Sequence, residues 1–512
     1  MAMNFNRRDL LKGGAALSAA SLINPQGMAL DQKHTHAASG SGPFQPSWNS
    51  LRNIPVPQWL RDGKFGIYTH WGIYAVPAYG KNGTWYAHNM YTKPDSDERE
   101  HQEATYGPLE KFGYKDFIPK FTGSHFDPDE WADLFKKAGA RFAGPVAEHH
   151  DGFAMWNTKF SEWNAAKMGP KRDVVGELSK AYKAQGLKFL TAFHHAEHWF
   201  YFPTWDTRYD VSDPRYAGLY GVSHEPSVLP TKEFLDVWIG KLKEVVDTYG
   251  PDVVWFDYGL RLIQQSYKTD FLAYYFNKAG AEGKEVAVTY KNHDLTPGVG
   301  IDDLELGRET SMTYYEWITD TTIDDGSGWG YVESLGFKSV DQLVTGLVDR
   351  VSKNGFLLLN VGPKPDGTIP EPAKERLLAM GEWLRINGES IYGTSPWLVA
   401  GEGPTEFKKS GSFNEDNDIR YTPQDIRFTC KDEYLYATFL AWPEEKAAIT
   451  SLVPKGETWA GLYPSEIESI KMLGSDEPIK WEFTKEALVL TTPTVKPCDN
   501  AFVYRIKLKK PF

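Results

Sequence analysis

Six side chains able to do chemistry sit at one kind of place in this sequence, the polar end of a short apolar run. His70 closes the run Phe65–His70, His149 and His150 close Phe142–His150, His194 and His195 close Leu187–His195, and Asp257 closes Val253–Asp257. A carboxylate at the end of an apolar run is partly desolvated, which favours nucleophilic attack. The same position suits a structural cap for the next loop, and the residues alone leave both readings open. Imidazoles donate and accept hydrogen bonds, so the histidines suit a hydroxyl-bearing ligand. Adjacent residues on a strand face opposite sides, so His149 and His150 reach one ligand only if the strand ends there, and Gly152 allows that. A histidine pair also fits Zn²⁺, but the first run has a single His and no Cys lies nearby, so hydrogen bonding is the stronger reading.

The elements that position these groups follow from pattern. Asp127 supplies an N-cap, Pro128 a first helical residue and Glu130 an acidic N3 partner. Trp131, Leu134, Phe135 and Ala138 then repeat at helical spacing until Gly139. Leu235, Trp238, Leu242, Val245, Val246 and Tyr249 form a second stripe, ended by Gly250-Pro251. Helix alternating with buried strand predicts a parallel sheet, either closed or doubly wound. Six active groups at the same end of four strands favour the closed (β/α)8 barrel, and no G-x-G-x-x-G turn follows any strand. Beyond about Trp397 the helical period vanishes. Short alternating runs such as Tyr434–Leu440, Leu488–Leu490 and Ala501–Leu508 predict an antiparallel β-sandwich.

The expected order is a leader over 1–29, a Gly/Ser-rich linker over 30–45, a TIM-like barrel over 46–396 and the sandwich over 397–512. Arg7-Arg8, an Ala-rich apolar stretch at 13–23 and the small residues around Gly27-Met28-Ala29 read as a bacterial twin-arginine export signal, hence a periplasmic or secreted protein. The chain has 512 residues, with 56 Lys plus Arg against 68 Asp plus Glu, a net charge of −12. That balance argues against general binding to nucleic acid or to an anionic membrane. No stretch of about 18 apolar residues offers a membrane span. Two cysteines, Cys430 and Cys498, exclude a disulfide scaffold and leave a single bridge open. An oligomer is compatible with everything above.

Four long segments carry a family resemblance. KFGIYTHWGIYAVPAYG (64–80), HHDGFAMWNTKFSEWNAAKMGPKRDVVGEL (149–178), PDVVWFDYGL (251–260) and VSKNGFLLLNVGPKPDGTIP (351–370) resemble glycoside hydrolase family 29, the α-L-fucosidases. The resemblance implies an exo-acting retaining hydrolase of terminal α-L-fucose, acting on fucosylated oligosaccharides or polysaccharides without metal or organic cofactor. By motif position Asp257 matches the nucleophile. His70, His149 and His150 match groups that hold fucose hydroxyls, and His195 is taken with them. Trp85-Tyr86 matches an aromatic pair after the first strand, and Trp255 the Trp two places before the nucleophile. Trp329 is expected as an aromatic wall, and Lys291 and His293 as further substrate contacts.

The general acid is expected between Tyr290 and Trp317. Glu305 is the first choice, read as lying on a short strand Asp303–Leu306. Glu309, in the loop beyond, is the second, and His293 follows. Thr84 departs from the family, many of whose members carry Glu before the aromatic pair. This suggests a pocket that tolerates a substituent, such as sulfate or a second sugar, on that side of fucose. Two other readings stand beside the hydrolase: a fucose-binding barrel with lost or altered catalysis, and a metal-dependent hydrolase built on the histidines.

Overall fold

The computed structural model describes residues 42–416, 418–454 and 460–512. The leader and the linker up to residue 41 lie outside the described residues. Eight strands form a closed barrel in sequence order: β1 (Phe65–Thr69), β2 (Phe142–Glu148), β3 (Lys188–Phe193), β4 (Val253–Phe256), β5 (Ala287–Tyr290), β6 (Ile301–Asp303), β7 (Trp317–Thr322) and β8 (Gly355–Val361). Every neighbouring pair is parallel, and β8 returns to pair with β1. β1, β2, β4 and β8 are largely apolar on both faces because both are covered. Inside, Phe142, Val146, Leu190, Val253, Trp255, Ile318, Phe356 and Leu358 pack into a core beneath the mouth. Gly144 is required by this packing: a Cβ there would lie 1.7 Å from the carbonyl oxygen of Leu190.

Outside run helices α1 (Pro128–Lys137), α2 (Val174–Ala184), α3 (Lys232–Tyr249), α4 (Gln265–Ala281), α5 (Val340–Ser352) and α6 (Glu371–Asn387). α1 begins as its sequence dictates. The Asp127 carboxylate accepts from the backbone N–H groups of Asp129 at 2.9 Å and Glu130 at 3.1 Å, and Trp131, Leu134 and Phe135 turn inward. α3 ends at Gly250, which takes a left-handed φ of 54°.

The strand signals near Glu305 fall differently from expectation. β6 ends at Asp303, so Glu305 stands two residues past a strand rather than on one. The following barrel strand is Trp317–Thr322, whose polar Thr-Asp-Thr-Thr run hides it from a hydrophobic pattern. The connections β5–β6 (291–300) and β6–β7 (304–316) contain no helix. The outer wall is bare there. A cleft of about 630 Å³ remains over Val286, Val288 and Ile301, edged by Ile54–Pro57 and Phe276.

The chain then forms β9 (Ser395–Glu402), β10 (Ile426–Lys431), β11 (Tyr434–Phe439), β12 (Lys446–Ile449), β13 (Ile467–Met472), β14 (Trp481–Phe483), β15 (Leu488–Thr491) and β16 (Phe502–Leu508). One antiparallel sheet runs β13-β16-β11-β10-β9 and the other β12-β15-β14. Phe428, Leu435, Phe439, Ile449, Leu488 and Tyr504 share a core between them. Cys430 and Cys498 are unpaired thiols.

Buried charges join sheet to barrel. Arg427 on β10 donates to Asp349 on α5 at 2.6 Å, and Lys353 donates to the same carboxylate at 2.8 Å. The connection between β9 and β10 reaches further. Glu415 accepts from Thr321 and Lys338, each at 2.7 Å, and from Arg350 at 3.0 Å. The N–H of Phe413 donates to the carbonyl of Glu305 at 2.7 Å, and that of Glu415 to the carbonyl of Leu306 at 2.8 Å. Arg308 and Gly411 exchange backbone hydrogen bonds of 3.2 and 2.9 Å.

Candidate active site

Each barrel strand delivers a side chain to one mouth, at the C-terminal ends of the strands. Tyr68 and His70 come from β1, His149 and His150 from beyond β2, His194 from β3 and Asp257 from β4. Lys291 comes from β5, Glu305 from beyond β6, Asp320 from β7 and Asn360 from β8. All but Asn360 line one pocket, walled by Trp85, Trp255, Tyr258 and Trp329, with Asn82 and Thr84 at one side. β2 ends at Glu148 and the chain turns through Gly152 at a φ of 76°, which is how both His149 and His150 enter.

Lys291 is the electrostatic hub. Its Nζ lies 3.1 Å from Asp257 Oδ1, 2.9 Å from Glu305 Oε2 and 3.0 Å from Asp320 Oδ2, and 4.7 Å above the Trp255 ring. The other Asp257 oxygen lies 3.1 Å from His150 Nε2 and 3.0 Å from His194 Nδ1. Burial by itself raises a carboxyl, but Lys291 and His194, with His150, hold Asp257 well below the usual carboxylate range. Glu305 responds the other way. Burial, helped by the negative charges of Asp320 and Asp257, pushes it up to about 7 against the pull of Lys291. Burial favours the neutral amine, yet the surrounding carboxylates Asp320, Glu305 and Asp257 keep Lys291 well above its ordinary value. Beneath the pocket Trp255 Nε1 donates to Asp303, and burial with the nearby Asp320 holds that carboxyl well above the usual range.

His70, His149 and His194 are held neutral, able to accept and donate. Burial lowers His70 and His149, and brings His194 down to about 4. His70 Nδ1 lies 2.8 Å from Asn360 Oδ1, so it carries the proton and Nε2 is left as an acceptor. The Asn360 amide donates to the Trp329 carbonyl at 2.6 Å, holding that residue at a left-handed φ of 50°. His149 Nδ1, His194 Nε2 and Asp320 Oδ1 are buried without a hydrogen-bond partner. Buried polar atoms of that kind call for a polar ligand. Nitrogens of His70, His149 and His194 lie within 4.8 Å of one another, a spacing that a polyol or a single cation can bridge.

Several expected residues stand elsewhere. His195 follows His194 and so faces outward, where its Nδ1 meets the buried Glu148 at 2.5 Å and its ring stacks on Phe234. His194, its neighbour, is the one that enters the pocket. Tyr86 is fully buried against His101 and Gln102 behind Trp85. His293 is turned out to solvent by successive left-handed residues, Asn292 at φ 56° and His293 at φ 57°, and sits 3.8 Å from Asp302. Glu309 accepts from Tyr315 at 3.1 Å in an exposed loop and does not line the pocket. The sequence reading missed Asp320, Tyr258 and Asn82. Asp320 is inside a strand rather than at its end, but the alternation of β7 gave a usable signal, because one face of a polar strand must meet something polar.

Comparison with known proteins agrees with this architecture. A family model described as Alpha-L-fucosidase matches residues 30–389, and one described as Alpha-L-fucosidase C-terminal domain matches residues 416–509. Tissue alpha-L-fucosidase of Rattus norvegicus is 31% identical over 472 residues, covering 90% of this chain and 91% of that protein. That of Mus musculus is 32% identical over 482 residues, covering 91% and 95%. The crystal structure of Thermotoga maritima alpha-fucosidase in complex with fucose is similar with a TM-score of 0.72 at 34% identity, covering 90% of this chain and 100% of that one. With both the barrel region and the C-terminal region matched, the chain belongs to the alpha-L-fucosidase family of glycoside hydrolases, family 29.

Proposed function

We propose that this α-L-fucosidase is an exo-acting, retaining enzyme that removes terminal α-L-fucosyl residues from glycans, with Asp257 as nucleophile and Glu305 as general acid and base. One observation carries the reading. Two distances from a single ammonium, 3.1 and 2.9 Å, limit the gap between the nearer oxygens of Asp257 and Glu305 to their total, about 6 Å. Retaining glycosidases hold their carboxyl groups about 5–5.5 Å apart, whereas inverting ones leave roughly 6.5–9.5 Å for a water. The protonation states fit the roles: an ionised carboxylate to attack and a carboxyl near 7 to give up a proton.

In the first step an Asp257 oxygen bonds to C1 of fucose while the bond from C1 to the leaving oxygen breaks. The Glu305 proton goes to that oxygen. In the second, Glu305 takes a proton from water, the water oxygen bonds to C1, and Asp257 leaves as a carboxylate. His70, His149, His150 and His194 meet the sugar hydroxyls, and the rings of Trp85, Trp255, Tyr258 and Trp329 meet its apolar faces. The leader carrying Arg7-Arg8 directs the folded chain to the periplasm or beyond.

The test is release of the phenol from an aryl α-L-fucoside. Wild type cleaves it and Asp257→Ala is at least about a thousandfold slower. A silent wild type still protected from heat by fucose overturns the hydrolase reading in favour of a fucose-binding barrel. The histidine cluster keeps a metal reading in play, and chelation decides it: activity survives EDTA here, while loss restored by Zn²⁺ favours the metal.

A further inference from the structure

Asp320 has no part in the two steps above, yet it is as well placed as the residues that do. It is 1 % exposed. Its Oδ2 takes hydrogen bonds from Lys291 Nζ and Tyr68 Oη, both at 3.0 Å, and its backbone N–H donates to Asp303 at 3.0 Å. Three carboxylates therefore share one ammonium, although the chemistry uses only two. A buried charge without a function in place is costly, which makes the third carboxylate informative.

The proton count explains it. Before reaction Asp257 is the anion and Glu305 holds a proton. When the Asp257–C1 bond forms and the Glu305 proton departs with the leaving group, Asp257 becomes a neutral ester and Glu305 the anion. Water then returns a proton to Glu305 and frees Asp257 as carboxylate. The negative charge thus passes from Asp257 to Glu305 and back, while Lys291 touches both. In each half of the cycle one of those partners is neutral and holds the ammonium weakly. Asp320 never changes its bonding.

We propose that Asp320, held by Tyr68, is a positioning residue that fixes the Lys291 ammonium between Asp257 and Glu305, so that one stationary cation serves whichever of the two carries the charge. The proposal rests on the retaining reading above. The titratable groups facing Glu305 are Tyr68 from β1, Asp257 and Tyr258 from β4, Lys291 from β5 and Asp320 from β7, with Asp303 of β6 one step behind, against Trp255 and the Asp320 backbone. Of these, Asp320 and Lys291 act on it with opposite sign.

The experiment is the pH dependence of kcat/KM on an aryl α-L-fucoside with a poor leaving group. In wild type the alkaline limb reports loss of the Glu305 proton. In Asp320→Asn one negative neighbour is gone and the limb moves to lower pH by about half a pH unit or more, with kcat down about tenfold. In Lys291→Gln the limb moves to higher pH. A fold defect alone lowers kcat without moving the limbs in opposite directions. Melting and fucose protection verify each variant, and Asp320→Ser substitutes if the amide does not fold. If neither folds, an unmoved limb in Lys291→Gln overturns the proposal. An active wild type whose variants keep their limbs, or move them the same way, overturns the role of Asp320 alone. An inactive wild type overturns the reaction it rests on.

Discussion

Glu305 and Glu309 are four residues apart and differ in every physical respect that matters to an acid. Glu305 touches Lys291 and shares the pocket with Asp257, whereas Glu309 accepts from Tyr315 in an exposed loop. Glu305→Ala is expected to slow fucosides with poor leaving groups by about a hundredfold or more, and to spare activated aryl fucosides far better. Glu309→Ala leaves both within about twofold, read from kcat/KM on the pair of substrates. With Glu305 as the proposed acid, kcat/KM is expected to fall as pH rises through about 7, since such an acid works only while protonated. Thr84 is the residue to change for specificity. It is buried in the pocket wall, with its hydroxyl donating to Asn82 at 2.7 Å, and so presents no charge to the sugar. Thr84→Glu should speed cleavage of a plain synthetic fucoside and slow that of a substituted one, and equal changes in both sink the idea. Most of this site was legible in the sequence, because a strand end is easy to recognise and His70, His149, His150 and Asp257 stand at strand ends. What was not legible is phase. His194 and His195 differ by one residue, and only the strand's twist decides which faces in. His293 was lost to two left-handed backbone positions that no side-chain pattern records.

At the scale of elements Glu305, the proposed acid, is held from an unexpected side. No helix backs β6, and the chain that braces it comes from between β9 and β10. Backbone hydrogen bonds from Phe413, Asn414 and Glu415 reach Glu305 and Leu306, and Glu415 locks the segment down through Thr321, Lys338 and Arg350. Burial opposes its ionisation, but Lys338 and Arg350 bring Glu415 down to about 2. Glu415→Gln strands two buried cations and should cost roughly 3 kcal/mol or more of stability, measured by denaturant melting. It should also lower kcat, since the loop bearing Glu305 loses its support, while KM changes little. The barrel and the antiparallel sheets were legible as elements because apolar runs and turn residues mark them. This brace was not, because residues 403–416 have no hydrophobic period, and its hold on Glu305 and Leu306 is through backbone groups, which no side-chain identity announces.

For the whole molecule, buried histidines in and around the pocket contribute to the response to acid. Burial lowers His70, His149, His194, His195 and His198, so at these groups the unfolded chain binds more protons than the folded one below about pH 6.5, and their share of the stability falls as pH falls. Eight carboxyls raised by burial, Asp151, Glu197, Asp294, Asp302, Asp303, Glu305, Asp324 and Asp341, work in the opposite direction above their unfolded values. The histidine share is read by difference: His198→Asn, outside the pocket, should lose less melting temperature than wild type as pH falls from 6.5 to 4.5. The brace also has a consequence in time. Synthesis runs from the N-terminus, and strand β8 closes the barrel at Val361, some fifty residues before Phe413 is made. A nascent chain can hold a closed barrel, with Asp257 and the histidine pocket in place, while the loop bearing Glu305 still lacks its partner. Hydrolysis is then expected only once the segment through Glu415 has emerged, so the onset of activity on ribosome-stalled chains of increasing length should mark the docking of that segment rather than closure of the barrel.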